Sequence, residues 1–378
     1  LREDADRIVR ASIHAVQPEA AVRRALEGFS CAGCVILVAI GKAAWPMADA
    51  AWRALGAQIR AGIVITKYHH SRGRIGPLQV FEAGHPLPDE NGVRAAREAL
   101  RLTEGLTERD CVLFLVSGGG SALFESPLVP LAELEDVTRQ LLSCGADIVE
   151  INTIRKRLSA VKGGRFALHC APASVFSIIL SDIIGDPLDM IASGPACPDE
   201  STCRQAQAIA EKYRLRLSDA ASACLAQETP KTLPNVTSYV TGSVRELCAA
   251  AEQEARGLGY SCVLLTDCLC CEAREAGRFL SAVARTHAGT DRPLAFLAGG
   301  ETVVHLTGHG RGGRNQELAL AAAEGLAGLP RAAVFSFGSD GTDGPTDAAG
   351  GYVDQDSLAA LHAAGTDPGE ALRQNDAY

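Results

Sequence analysis

Residues 111–127, CVLFLVSGGGSALFESP, constrain what this chain can become more than any other stretch. The run CVLFLV is apolar without alternation and reads as a short strand buried on both faces. It ends in Ser117, Gly118, Gly119, Gly120 and Ser121, three glycines between two hydroxyls. Consecutive glycines remove every Cβ where the backbone turns, which frees successive N–H groups to converge on one anion. A helix beginning just after would add its positive end. A tight strand-to-helix connection with no ligand fits the same letters, so the loop needs support from elsewhere.

Composition narrows the field. A chain of 378 residues suggests two or three domains. It is 47% hydrophobic but only 5% aromatic, which points to a core of Ala, Val, Leu and Ile in stacked helices and strands. The formal net charge is −9, and no long basic run exists to serve nucleic acid or an acidic membrane surface. No apolar run approaches the roughly 18 residues of a membrane-spanning helix. The 13 cysteines are scattered. Cys31 and Cys34 have CxxC spacing but no second pair completes a zinc site, and Cys268, Cys270 and Cys271 lack an obvious fourth ligand. Reduced thiols in a cytoplasmic protein are expected. The first residue is not Met and the sequence stops at Tyr378 after a helical pattern, so both ends read as trimmed.

Strands alternate with helices along the chain. VILVAI at 35–40, GIVITK at 62–67, residues 79–83, the run at 111–116 and SVFSIILS at 174–181 read as strands. Helical patterns lie between them, including two segments before residue 29 separated by Pro18, and one continuous helix over 149–165. Pro46 suits the first turn of the helix after VILVAI. This order predicts a doubly wound parallel sheet covered on both faces, a Rossmann-like N-terminal domain over 1–230. The polar stretch at 227–235 reads as the boundary, and a smaller α/β domain over 231–378 follows. In that domain strands are expected at 236–241, 262–266, 294–298 and 332–337, with a hairpin at 302–307.

The polar, glycine-rich elements fall at the carboxyl ends of the strands, the edge where open α/β sheets bind ligands. Gathered there are the cradle of Gly118, Gly119 and Gly120, a second pair in Gly299 and Gly300, the cations Lys42, Lys156 and Arg314, and the acids Asp182, Asp186, Asp340 and Asp343. Phosphoryl transfer needs this mixture: backbone donors and cations for phosphates, carboxylates for Mg²⁺, and one base for the nucleophile's proton. Hard oxygen ligands without a Cys/His grouping favour Mg²⁺ over zinc. Each residue also has an ordinary reading. Asp182, Asp186, Asp340 and Asp343 suit turns, Arg314 can pair with Glu317, and His85 and His305 are lone histidines of the kind that is more often structural. GxxxxGK[ST] is absent. Gly308, Gly310 and Gly313 fit GxGxxG by letter, but in the wrong context for a dinucleotide site.

Five segments then acquire meaning together: LVSGGGSALFESP, INTIRKRLSAVKGGRFA, LSDIIGDPLDMIASGPACPD, GGETVVHLTGHGRGGRNQELALA and FGSDGTDGPTDAAGGYVD. In this order they resemble the class II glycerate kinase family, and the likeness runs from Gly41 to the end. The resemblance implies phosphorylation of D-glycerate to 2-phosphoglycerate with ATP and Mg²⁺, by two α/β domains with the active site in the cleft between them. It implies that Lys42 and Arg314 bind the substrate carboxylate or stabilise the transferring phosphoryl group, and that residues Ser117 to Ser121 hold ligand oxygens. Asn152 and Lys156 join that binding set. Asp182 or Asp186 would be the general base or the Mg²⁺ anchor. Gly299, Gly300, Glu301, Asn315, Asp340 and Asp343 would line the site from the second domain. The family pattern continues past Tyr378 with a further strand and a glycine/asparagine segment that this sequence lacks. D-glycerate and ATP are the expected partners, and a homodimer is compatible with the family. Two other readings stand beside the kinase: an NAD(P)H-dependent hydroxypyruvate reductase, and a non-catalytic phosphosugar-binding protein.

Overall fold

The protein is described here from a computed structural model covering residues 1–181 and 187–378. In chain order the elements are α1 (Arg2–Val16), α2 (Pro18–Ala25), β1 (Val35–Ile40), α3 (Ala44–Leu55), β2 (Ile59–Lys67), β3 (Gln79–Ala83), α4 (Glu90–Leu102), β4 (Cys111–Val116) and α5 (Gly120–Leu123). Then come α6 (Leu131–Ser143), α7 (Ile148–Arg157), α8 (Arg165–His169), β5 (Ser174–Leu180), α9 (Cys203–Lys212), α10 (Asp219–Leu225) and β6 (Val236–Thr241). The remainder is α11 (Val244–Gly257), β7 (Ser261–Leu269), α12 (Ala273–Thr286), β8 (Leu294–Gly300), α13 (Arg314–Leu326), β9 (Ala333–Phe337), β10 (Gly350–Asp354), α14 (Ser357–Ala363) and α15 (Pro368–Gln374).

Two compact units result, Pro18–Ser243 and a smaller one made of Leu1–Gln17 with Val244–Tyr378. The first contains a six-stranded parallel sheet in the order β3-β2-β1-β4-β5-β6. β1 and β4 lie at its centre and are buried along their whole length, which is why both read as unbroken apolar runs. Their side chains alternate between two cores. Ile36, Val38, Ile40, Val112 and Phe114 face α4, Phe124 and Phe166. Val35, Leu37, Ala39, Leu113 and Leu115 face α2 and α3. Helices α6, α7, α9 and α10 close a third core of their own around Leu134, Leu141, Ile154 and Leu225.

β1 and β4 pair in register from Val35 with Cys111 to Ile40 with Val116. β2 and β3 lie to one side of them and β5 and β6 to the other, so the chain reverses its direction of travel across the sheet between these two strands. That switch point opens a crevice at the strands' carboxyl ends.

In the smaller unit β7 and β8 are parallel, β9 and β10 antiparallel, and α13 packs its buried face against α12, β9 and β10. α1 packs on α11. It therefore belongs with residues more than two hundred positions away, and the expected boundary at 230/231 is not where the units divide. β6 extends the first sheet through β5; its polar letters fit an edge strand rather than the start of a new domain. The hairpin expected at 302–307 is not formed: Val303 makes a single parallel bridge to Glu272. β10 carries little strand signal in the sequence, because GGYVD is glycine-rich and short. The helix expected over 149–165 stops at Arg157. Leu158 and Ala160 there bond to the strand-like segment at 126–128, and Gly163 and Gly164 turn the chain at φ +56° and +81°.

Candidate active site

At the switch point two strand ends touch. Gly41 follows β1 with φ +112°, and a Cβ there would lie 2.3 Å from Ser117 Oγ, so the approach needs glycine. Ser117 Oγ bonds the Ile40 carbonyl at 3.2 Å and accepts from the Ala43 N–H at 3.0 Å. The Lys42 N–H donates to the Gly118 carbonyl at 2.8 Å. These contacts set Lys42 beside the glycine loop. Its side chain is exposed, and its ammonium has no partner among the described residues. The N–H groups of Gly118 and Gly119 likewise take no acceptor among the described residues. Gly119 adopts φ +85°, and a Cβ on it would come 3.0 Å from the His85 ring and 3.3 Å from Lys42 Cγ. His85 thus belongs to this cluster, which its solitary place in the sequence did not suggest. Its position shortly after β3, on the same sheet edge, was the available signal. Burial, then the charges of Lys42, Lys67 and His70, hold its imidazole below the usual value.

The loop's other end is tied inward. Ser121 Oγ lies 3.1 Å from Ser193 Oγ, and Ser193 donates to Asn152 Oδ1 at 3.0 Å. Ala192, Ser193 and Gly194 all have positive φ (+53°, +61° and +64°), an uncommon run in which two residues are not glycine. Lys156 is buried and spent on two carboxylates, Asp189 at 3.1 Å and Asp199 at 3.2 Å. It braces the segment around 189–199 rather than offering a free charge. Asp182 and Asp186 lie outside the described residues. Among the described residues there is no group of three His, Cys, Asp or Glu side chains fit to hold a metal.

In the smaller unit, Arg314 Nη1 donates to Glu301 Oε1 at 2.6 Å, both half-exposed. Arg314 does not pair with Glu317, which is buried against Arg274 and Asn375. Asp343 is buried at the start of α13, where it accepts from the N–H groups of Asn315 (3.1 Å) and Gln316 (2.8 Å) and from Asn315 Nδ2 (3.0 Å). This is capping by a side chain from a distant loop. Asn315 Oδ1 accepts from Ser336, so the amide is used internally. Asp340 closes a local turn onto the Thr342 N–H. A Cβ on Gly299 would meet Cys248 Sγ at 2.4 Å, and one on Gly300 would meet the Leu269 carbonyl at 2.1 Å. The glycines at 308–313 have an occupant: Cβ atoms on Gly308 and Gly310 would strike Gln374 and Asp376. The Gly310 N–H bonds the Gln374 carbonyl, and Tyr378 N–H bonds Arg311. The chain's own C-terminal residues pack directly against this glycine loop.

Comparison with known proteins agrees with this architecture. A family described as a domain of unknown function (DUF4147) matches residues 4–226, and the MOFRL family matches residues 294–378. A D-glycerate 2-kinase of Thermotoga maritima is 50% identical, spanning 100% of this chain and 92% of the relative. A glycerate 2-kinase of Pyrococcus horikoshii is 37% identical, spanning 100% and 91%. The crystal structure of a glycerate kinase from Thermotoga maritima superposes with a TM-score of 0.97 at 50% identity, covering 100% of this chain and 92% of that one. Fold and relatives agree on an α/β enzyme. The chain belongs to the glycerate kinase family.

Proposed function

We propose that the chain is a glycerate 2-kinase that transfers the γ-phosphoryl group of ATP to the 2-hydroxyl of D-glycerate. The observation that carries the reading is the likeness to a D-glycerate 2-kinase at 50% identity along the whole chain. The switch-point geometry agrees with it. An ammonium and two backbone N–H groups without partners among the described residues are what anionic reactants require, and phosphoryl transfer is mostly positioning and charge stabilisation. Lys42 and the N–H groups of Gly118 and Gly119 hold anionic oxygens, those of the nucleotide or of the glycerate carboxylate, and Arg314 serves the same chemistry once its pairing with Glu301 yields. Asp182 or Asp186 would accept the hydroxyl proton or hold magnesium, which would supply neutralisation of phosphate charge. A cytoplasmic enzyme is the corresponding setting; among the described residues no helix is long and apolar enough to cross a membrane.

The test is ADP release with D-glycerate, ATP and Mg²⁺, with product position read by phosphorus NMR. Formation of 2-phosphoglycerate is expected. Absence of turnover together with NAD(P)H oxidation by hydroxypyruvate would overturn the reading in favour of a reductase.

A further inference from the structure

Beneath the glycine loop lies a buried charge cluster that none of the assignments above uses. Lys162 is 0% exposed, and its ammonium donates to the carbonyl oxygens of Ser121 at 2.8 Å and Phe124 at 3.1 Å. Arg155 Nη2 donates to the same Ser121 carbonyl at 3.0 Å. Glu125, also 0% exposed, faces both cations, 3.6 Å from Lys162 and 3.8 Å from Arg155. Neither of its carboxylate oxygens takes a hydrogen bond.

Closing the end of a single helical turn such as α5 does not require this. One neutral donor satisfies a carbonyl, whereas burying an ammonium carries a large desolvation cost. Among the described residues, two cations on one carbonyl, against one carboxylate, leave a net positive charge in a poorly screened interior next to the loop.

We propose that Lys162, with Arg155, is a positioning residue for the reaction. It fixes the Ser121 carbonyl, and through it the backbone of Gly118 to Gly120, and its charge favours an anion on the loop. The inference rests on the reading of the loop as the anion-binding element.

Linkage makes it testable, because an anion stabilised by a protonated lysine must in return stabilise that proton. Burial pushes the Lys162 ammonium down to about 8, Glu125 opposes that shift and Arg155 reinforces it. Among the described residues these are the charged groups facing it, Glu125 from the segment after α5 and Arg155 from α7.

The experiment titrates the full chain labelled with ¹³Cε-lysine by NMR, the Lys162 signal being assigned with Lys162→Arg. Titrations are run free, with saturating ADP, and with saturating D-glycerate. One of the two ligands is expected to raise the Lys162 midpoint by about 0.5–1 unit. A midpoint unmoved by both ligands, with binding confirmed by calorimetry, would overturn the inference without any variant having to fold. In parallel, Lys162→Met is expected to weaken binding of the responsive ligand about tenfold, and Lys162→Arg to restore it. A folded Lys162→Met that binds both ligands as the wild type does would also overturn it. Gly119→Ala separates the two ideas: if it leaves both affinities unchanged, the loop reading is what has failed.

Discussion

The Lys42 N–H and the Gly118 carbonyl are joined at 2.8 Å across the ends of two neighbouring parallel strands. This bond locks Lys42, whose ammonium has no partner among the described residues, to a loop whose Gly118 and Gly119 N–H groups take no acceptor among them. The position is the switch point of the sheet, where the loops following β1 and β4 diverge.

Lys42→Ala should lower kcat about 10²–10³-fold, the scale for losing one preorganised charge donor. The side chain is exposed and makes no ion pair among the described residues, so stability should stay within about 0.5 kcal/mol. Steady-state kinetics beside thermal unfolding tests this, and a variant with wild-type kcat would remove Lys42 from the site.

Asp182→Asn and Asp186→Asn distinguish an enzyme from a binder. Loss of the base should cost turnover about 10²–10⁴-fold in one of them while D-glycerate affinity persists. Calorimetry with the same preparations supplies the affinity. Full turnover in both variants would leave the proton acceptor to be sought elsewhere.

Gly41→Ala should destabilise the larger unit by about 1–3 kcal/mol from its positive φ alone. The new Cβ would also press on Ser117 Oγ, 2.3 Å away. A lower urea midpoint at unchanged slope is expected, with reduced activity, because Ser117 and Lys42 would have to separate. An unaltered midpoint would mean the strand ends relax freely.

Asp343→Ala should cost roughly 2 kcal/mol, since α13 would lose the acceptor for two of its first N–H groups. The sequence pattern suggested a ligand contact for this residue, whereas its geometry predicts a loss read first in thermal unfolding. Unchanged melting with a raised KM would restore the ligand role.

His85 should titrate below the ordinary histidine value, burial being the first cause and the neighbouring cations adding to it. Between the two values the unfolded chain binds the proton that the folded chain refuses. The His85 contribution to stability is therefore complete above about 6.5 and is lost as pH falls through the folded value. Proton NMR of the imidazole gives the midpoint; a value above 6.5 would contradict the cationic surroundings. Bound anion should raise it.

The buried strands were legible because their apolar runs have no second explanation, and the glycine loop because nothing else tolerates three missing Cβ atoms beside a strand. The motifs also placed Lys42 and the loop in one family pattern. Legibility failed where a residue's partner is remote. Asp343 and Gly308 resemble ligand-binding residues by letter, yet one caps α13 and the other makes room for Gln374. Lys156 reads as a free cation and is neutralised by Asp189 and Asp199. His85 reads as ordinary and packs on Gly119.

By itself the sequence determined the parallel α/β sheet, its central strands and the candidate loop, since burial and backbone freedom are written in local composition. The tertiary structure alone decided which charges are free and which are consumed. Ion pairing depends on distances between segments that meet only when the sheet and helices close, so Lys42 has no partner among the described residues while Lys156 and Lys162 are buried among theirs.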